Sequence, residues 1–250
     1  MPEALGAALA TPGLPWLLLA IGLAGIVRGF TGFGTALIFV PVAGIFLAPQ
    51  VVVGVITLTG IASTSALLPR AWGQADRREV GVLALAALIT VPLGLWLMGM
   101  LDPVTIRWIV ATVAAITLGA LIAGWRFSGI VNRPMLIAIG AVAGVIGGLT
   151  GLTGPVVILF YLAGQSVAQT VRANTILFLA ALDVVIVANL LIQGRVEWHI
   201  FLLALVLAVP YFITSLIGQA LFDPRHERLY RWAAYAVIGL AVLSGLPLWT

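Results

Sequence analysis

The chain has 250 residues, 62% of them hydrophobic and 8% charged, against roughly 45–50% and about 25% in soluble domains, so a water-soluble globule is excluded. Cys is 0 and His is 2, which removes disulfides, thiol nucleophiles and thiolate metal sites. The net charge is +4 and every one of the 12 basic residues is Arg; they are spread through short loops with no basic tail, so charge bias toward an inner membrane surface explains them better than a nucleic-acid partner.

In chain order, apolar runs broken by charge, Gly or Pro predict helices over Leu14–Val27, Thr35–Leu47, Val51–Leu68, Val80–Leu101 and Ile106–Ala123. The second half predicts Met135–Gly147, Pro155–Ala163, Thr170–Ile192, Ile200–Phe222 and Leu229–Leu248. The stretch ahead of Leu14 carries Glu3 and no Lys or Arg, so the first run is expected in the mature protein rather than as a signal peptide. No run alternates with strand period, which excludes a barrel of about ten-residue strands. At about 20 apolar residues per crossing, the length holds at most about eight or nine embedded segments and no separate soluble domain.

The halves match each other. Gly29-Phe30-Thr31-Gly32-Phe33 pairs with Gly148-Leu149-Thr150-Gly151-Leu152. Glu79 and Pro92 pair with Glu197 and Pro210 at equal spacing, and Asp102-Pro103 with Arg107 pairs with Asp223-Pro224 with Arg228. Three anchors in the same order make a repeat, and membrane repeats of this kind build secondary transporters, with sites near the midplane at the repeat interface.

Arginine placement argues that the repeats are inverted. As one helix, Leu14–Leu47 would be about 50 Å long, far more than a bilayer core of about 30 Å needs. It must break, and Gly29, Gly32 and Gly34 mark where. If this stretch goes in and comes back, and Met135–Ala163 does the same about residues 147–154, each half makes three further crossings. Arg70, Arg77, Arg78, Arg126, Arg133, Arg172, Arg225, Arg228 and Arg231 then share one face, against Arg107 and Arg195 on the other. Nine against two is a strong positive-inside signal, whereas single crossings give six against five and no signal. The expected architecture is an all-α polytopic membrane protein of two inverted repeats, each a Gly-broken helix hairpin followed by three transmembrane helices. Residues 1–125 form the first repeat, 126–133 a cytoplasmic linker and 134–250 the second, together one membrane domain with both termini outside the cytoplasm.

The breaks carry the candidate chemistry. Half-helices beginning after Gly34 and at Pro155 present unpaired N–H groups and positive dipole ends, which together make an anion site. Thr31, Thr35, Thr150 and Thr153, with Gly32, Gly34, Gly151 and Gly154, are the expected substrate-binding set. The competing reading is that the glycines allow close packing and the threonines cap helix ends. Arg28 precedes the first break, its repeat counterpart is Gly147, and its fork matches an oxyanion. A snorkelling topology residue is its alternative. Asp183 is the one carboxylate deep in an apolar helix, a proton-coupling residue or a counter-ion to Arg28, with a structural interhelical bond as the bland alternative. Asn174 and Asn189 are polar support on the same helix, and His199 and His226 are loop residues rather than metal ligands.

With RGFTGFGTALIFVP from Arg28 to Pro41 and GGLTGLTGPVVILFYL from Gly147 to Leu162, the chain resembles, over essentially its full length, the sulfite exporter (TauE/SafE-like) family of bacterial membrane transporters. The second motif departs from a strict repeat at Thr153, where the first has Gly34. The resemblance implies a multi-pass secondary transporter of the bacterial inner membrane for export or uptake of small sulfur-containing oxyanions such as sulfite or organosulfonates, with export the expected direction. Alternatives are transport of another small organic or inorganic anion, or a non-transporting scaffold subunit. No cofactor or metal is implied. Expected partners are a small anionic substrate, the lipid bilayer and, as one option, a second copy in a homodimer. An intramembrane enzyme is disfavoured, because no Gly-x-Ser-x-Gly turn, His-Glu-x-x-His or Gly-Asp pair occurs.

Overall fold

The computed structural model describes residues 2–31, 33–65, 68–124, 132–163, 168–194, 197–221 and 224–248, and among them there are helices and no strands. In order they are α1 (Pro2–Leu9), α2 (Leu14–Thr31), α3 (Thr35–Phe46), α4 (Pro49–Ser65), α5 (Leu68–Gln74), α6 (Arg77–Met100), α7 (Pro103–Ile122), α8 (Arg133–Thr150), α9 (Pro155–Ala163), α10 (Ala168–Ile192), α11 (Trp198–Leu221) and α12 (Glu227–Gly245). Ten of these correspond to the ten apolar runs. Sequence periodicity contained neither α1 nor α5: they are eight and seven residues long, and Glu3 or Arg70 with Pro69 interrupts their apolar character. Among the described residues, five helices are long and apolar enough to cross a membrane: α6, α7, α8, α10 from Ala173, and α11.

Helix starts follow local chemistry. Asp76 caps α6 by accepting from the N–H groups of Arg78 (3.0 Å) and Glu79 (3.2 Å). Asn132 caps α8 through the Met135 N–H (3.1 Å), and Asp102 caps α7 through that of Thr105 (2.9 Å), with Pro103 in the first turn.

The two halves interlock by exchange. The opening helix of each half packs on the proline-bearing helix of the other: α2 on α11 and α8 on α6. Glycines make the approach close. A Cβ on Gly148 would lie 2.6 Å from the Val91 carbonyl oxygen, and one on Gly29 would lie 2.5 Å from that of Ser215. Helices in lipid gain association energy from van der Waals packing at small residues rather than from a hydrophobic drive. Across the α6–α8 seam the Thr90 hydroxyl donates to the Ala141 carbonyl at 2.9 Å. The contacts also fix direction. Gly140, Gly144 and Gly148 meet Leu83, Ala87 and Val91 in turn, so α6 and α8 run parallel; Gly25 meets Tyr211 and Gly29 meets Ser215, so α2 and α11 do too. By contrast α7 and α12 are antiparallel, since Arg107 reaches Gly245 and Tyr235 reaches Leu121.

The outside is apolar, as a lipid-facing surface must be. Ile89 and Ile192 are 74% and 85% exposed, a cost in water and none in hydrocarbon. Exposed Trp72, Trp108, Trp198 and Trp232 stand in the short α5 or near helix starts, where interfacial belts place aromatic rings.

The seam yields a stability contrast. Gly148→Leu drives a side chain into the Val91 backbone, whereas a Cβ on Gly119 meets nothing within 4 Å. Gly148→Leu is expected to cost about 1–3 kcal/mol, as overpacking does, and Gly119→Leu to leave the melting temperature in detergent unchanged. Equal melting of the two variants would remove the seam as a determinant.

Candidate functional site

Each opening helix stops in the same way. At the end of α2 the Thr31 hydroxyl donates to the Val27 carbonyl (2.7 Å) and accepts from the Phe33 N–H (3.3 Å). At the end of α8 the Thr150 hydroxyl donates to the Ile146 carbonyl (2.7 Å) and accepts from the Leu152 N–H (3.1 Å). These two threonines spend their hydroxyls on the backbone, as helix-ending side chains do. The turns that follow use left-handed backbone at Gly34 (φ 99°) and Gly151 (φ 77°), a conformation glycine adopts without steric cost.

Two half-helices then start toward a common space. The first intrahelical bonds of α3 and α9 run from Ile38 N–H to Gly34 O and from Ile158 N–H to Gly154 O, so the N–H groups between carry no intrahelical partner. Gly34, Thr35, Ala36 and Leu37 from one start, and Thr153, Gly154 and Pro155 from the other, line a single cavity of about 50 Å³. Pro155 has no N–H to satisfy.

The same cavity holds both deep charges. Arg28, half-buried in the last turn of α2, and Asp183, 5% exposed in α10, line it together. Among the described residues no direct ion pair joins the guanidinium to the carboxylate. Gly60 of α4 makes the room: a Cβ there would overlap the Asp183 carboxylate. From α11, Tyr211 contributes a hydroxyl 3.0 Å from that of Thr35, tying the first half-helix to the helix of the other repeat.

Of the residues singled out from sequence, the structure brings Arg28, Gly34, Thr35, Thr153, Gly154 and Asp183 to this cavity. Thr150 lines a different cavity, Gly151 stands between the two, and Thr31 is turned onto its own helix end. Gly32 lies outside the described residues. Asn174 is buried elsewhere: its side-chain oxygen accepts from the Asp76 N–H (2.8 Å) and its amide donates to Glu79 (3.4 Å), pinning α10 to the start of α6. Asn189 donates to the Val185 carbonyl of its own helix (2.9 Å). Tyr211, Gly60 and Thr64 were not singled out from sequence, yet all line the cavity. Tyr211 had a signal, a phenol next to Pro210 deep in an apolar run; Gly60 had none.

A family model, that of the sulfite exporter TauE/SafE, matches residues 17–245. The chain belongs to this family. It is thus a multi-pass membrane protein of a transporter family for sulfur anions such as sulfite. No curated protein and no solved structure matches it.

Two substitutions probe the cavity wall. Tyr211→Phe removes the bond to Thr35 and is expected to lower stability by about 1 kcal/mol, the net value of a typical buried hydrogen bond, measured by thermal melting. Gly60→Ala displaces the Asp183 carboxylate and is expected to weaken the response of transport to an imposed pH difference, with melting little changed. A wild-type pH response in Gly60→Ala would mean that the carboxylate position does not matter.

Proposed function

We propose that this protein exports sulfite, or a similarly small sulfur oxyanion, across the bacterial inner membrane as a secondary transporter, and that the cavity between the two half-helix starts is its substrate site. One observation carries the reading: two helix N-termini, Arg28 and Asp183 line one cavity. The helix starts offer backbone donors and positive dipole ends to an oxyanion, and the guanidinium offers a charged fork.

Asp183 supplies coupling in this reading. An anion arriving beside Arg28 competes with the Asp183 carboxylate for the same positive charge. A proton on Asp183 removes the competition, so anion binding and protonation of Asp183 are linked. The two halves act as inverted repeats with both termini outside the cytoplasm, on the strength of the nine-against-two arginine split. The reciprocal packing of α2 on α11 and α8 on α6 supports that arrangement, since it is what exchange about an in-plane pseudo-axis produces.

Sulfite flux in proteoliposomes tests the reading. Arg28→Ala is expected to abolish flux while the protein still inserts and folds, and Arg28→Lys to rescue poorly, because a point charge does not reproduce a bidentate fork. Wild-type flux in the alanine variant would leave Arg28 a topology residue. Asp183→Asn is expected to keep exchange down a gradient and lose the response to an imposed pH difference. Accumulation by Asp183→Asn driven by a proton gradient would remove Asp183 from coupling. A reporter fused after Thr250 that is active only in the cytoplasm would overturn the topology.

A further inference from the structure

A second cavity of about 30 Å³ lies beyond the first, lined among others by Gly44 and Leu47 of α3, Val53 of α4, Arg107 of α7 and Thr150 of α8. The two cavities are stacked about one helical turn apart along α3 and α4, and the α8–α9 break passes between them. Leu37 lines the first and Val40 the second; Ile56 lines the first and Val53 the second; Thr153 lines the first and Thr150 the second. Three helical residues span about 5 Å, so the partition is one side-chain layer thick. Gly151 sits in it: a Cβ there would lie 3.1 Å from Ile56 Cγ2 and 3.5 Å from Val53 Cγ2.

A cation stands in each chamber. Arg28 lines the first. In the second, Arg107 is half-buried near the start of α7, and one of its terminal nitrogens donates to the Gly245 carbonyl at the end of α12 (3.3 Å). Arginine placement accounts for Arg107 poorly, because it lies on the arginine-poor face. An arginine aimed at a cavity in line with an anion site has a function that bias does not supply.

We propose that the Arg107 chamber is a second anion station, through which substrate passes between the first cavity and the arginine-poor face. This rests on the transport reading above. The chamber is smaller than the first. Opening it requires only that the layer at Val53, Ile56 and Gly151 part. The planar donor fork of Arg107 matches an oxyanion, and the bond to Gly245 holds that fork at the chamber wall.

Sided flux tests the proposal. Inside-out and right-side-out vesicles are prepared, and initial sulfite uptake is measured against sulfite concentration from each face. Arg107→Gln is expected to raise KM about tenfold or more from the Arg107 face, the scale of one lost charge-assisted hydrogen bond, and to leave KM from the opposite face within about twofold. Leu47→Glu, which places a negative charge in the same chamber and leaves the Arg107–Gly245 bond in place, is expected to shift KM in the same direction on the same face. Arg107→Lys should recover part of the loss. Unchanged KM in both variants, or an equal shift from both faces with a lowered melting temperature, would make Arg107 an anchor for α12 and overturn the station. Wild-type vesicles that carry no sulfite from either face would overturn the transport reading and the station with it, whereas wild-type flux with insensitive variants overturns the station alone.

Discussion

Everything in this protein follows from interrupting a helix where no water can repair the break. In hydrocarbon an unsatisfied backbone group costs several kcal/mol, so irregular backbone survives only inside protein or against a wet cavity. The chain meets that demand on both sides of each break. On the ending side the Thr31 and Thr150 hydroxyls bond the backbone of their own helix ends. On the starting side the first residues of α3 and α9 line a cavity. On the proposed reading, groups that would be a liability in lipid become the polar lining of a site.

Holding two such breaks face to face requires helices that do not slide. The exchanged pairs α2–α11 and α8–α6 supply this through backbone-to-backbone approach at Gly29 and Gly148. Each break is therefore clamped by the other half. The Thr35–Tyr211 hydroxyl contact extends the same exchange to the cavity wall, because α3 belongs to one half and α11 to the other. A motion of one half against the other changes the cavity at its lining.

This division also explains what a reader of the sequence sees and misses. Ten apolar runs and two Gly-rich breaks are local signals, and ten helices and two left-handed turns answer to them. Arg28 and Asp183 are legible because a charge inside an apolar run is anomalous wherever it lands. The share of each threonine is not legible: Thr31 and Thr35 are four residues apart in one motif, yet one faces its own helix end and the other Tyr211 across 176 residues of sequence. Asn174 reads as site support from its helix and instead pins the start of α6, a partner 98 residues away. Gly60 carries no side chain for a reader to notice, and its use is the space it leaves for Asp183.

The departures from symmetry matter as much as the repeat. Where one half has Arg28 the other has Gly147, and where one has Gly34 the other has Thr153. A duplicated guanidinium would place two like charges around one small anion and bind it in every conformation, and tight binding in all states shifts no equilibrium. With Gly147 opposite, a Cβ-free surface packs near Leu182 and Thr153, and the positive charge belongs to one half alone. If the halves rock as the transport reading proposes, that charge moves relative to the Asp183 carboxylate and to the α9 start. On the proposed transport reading, the repeated part of the sequence is the frame that rocks between two similar states, and the unrepeated residues make the anion's affinity differ between them.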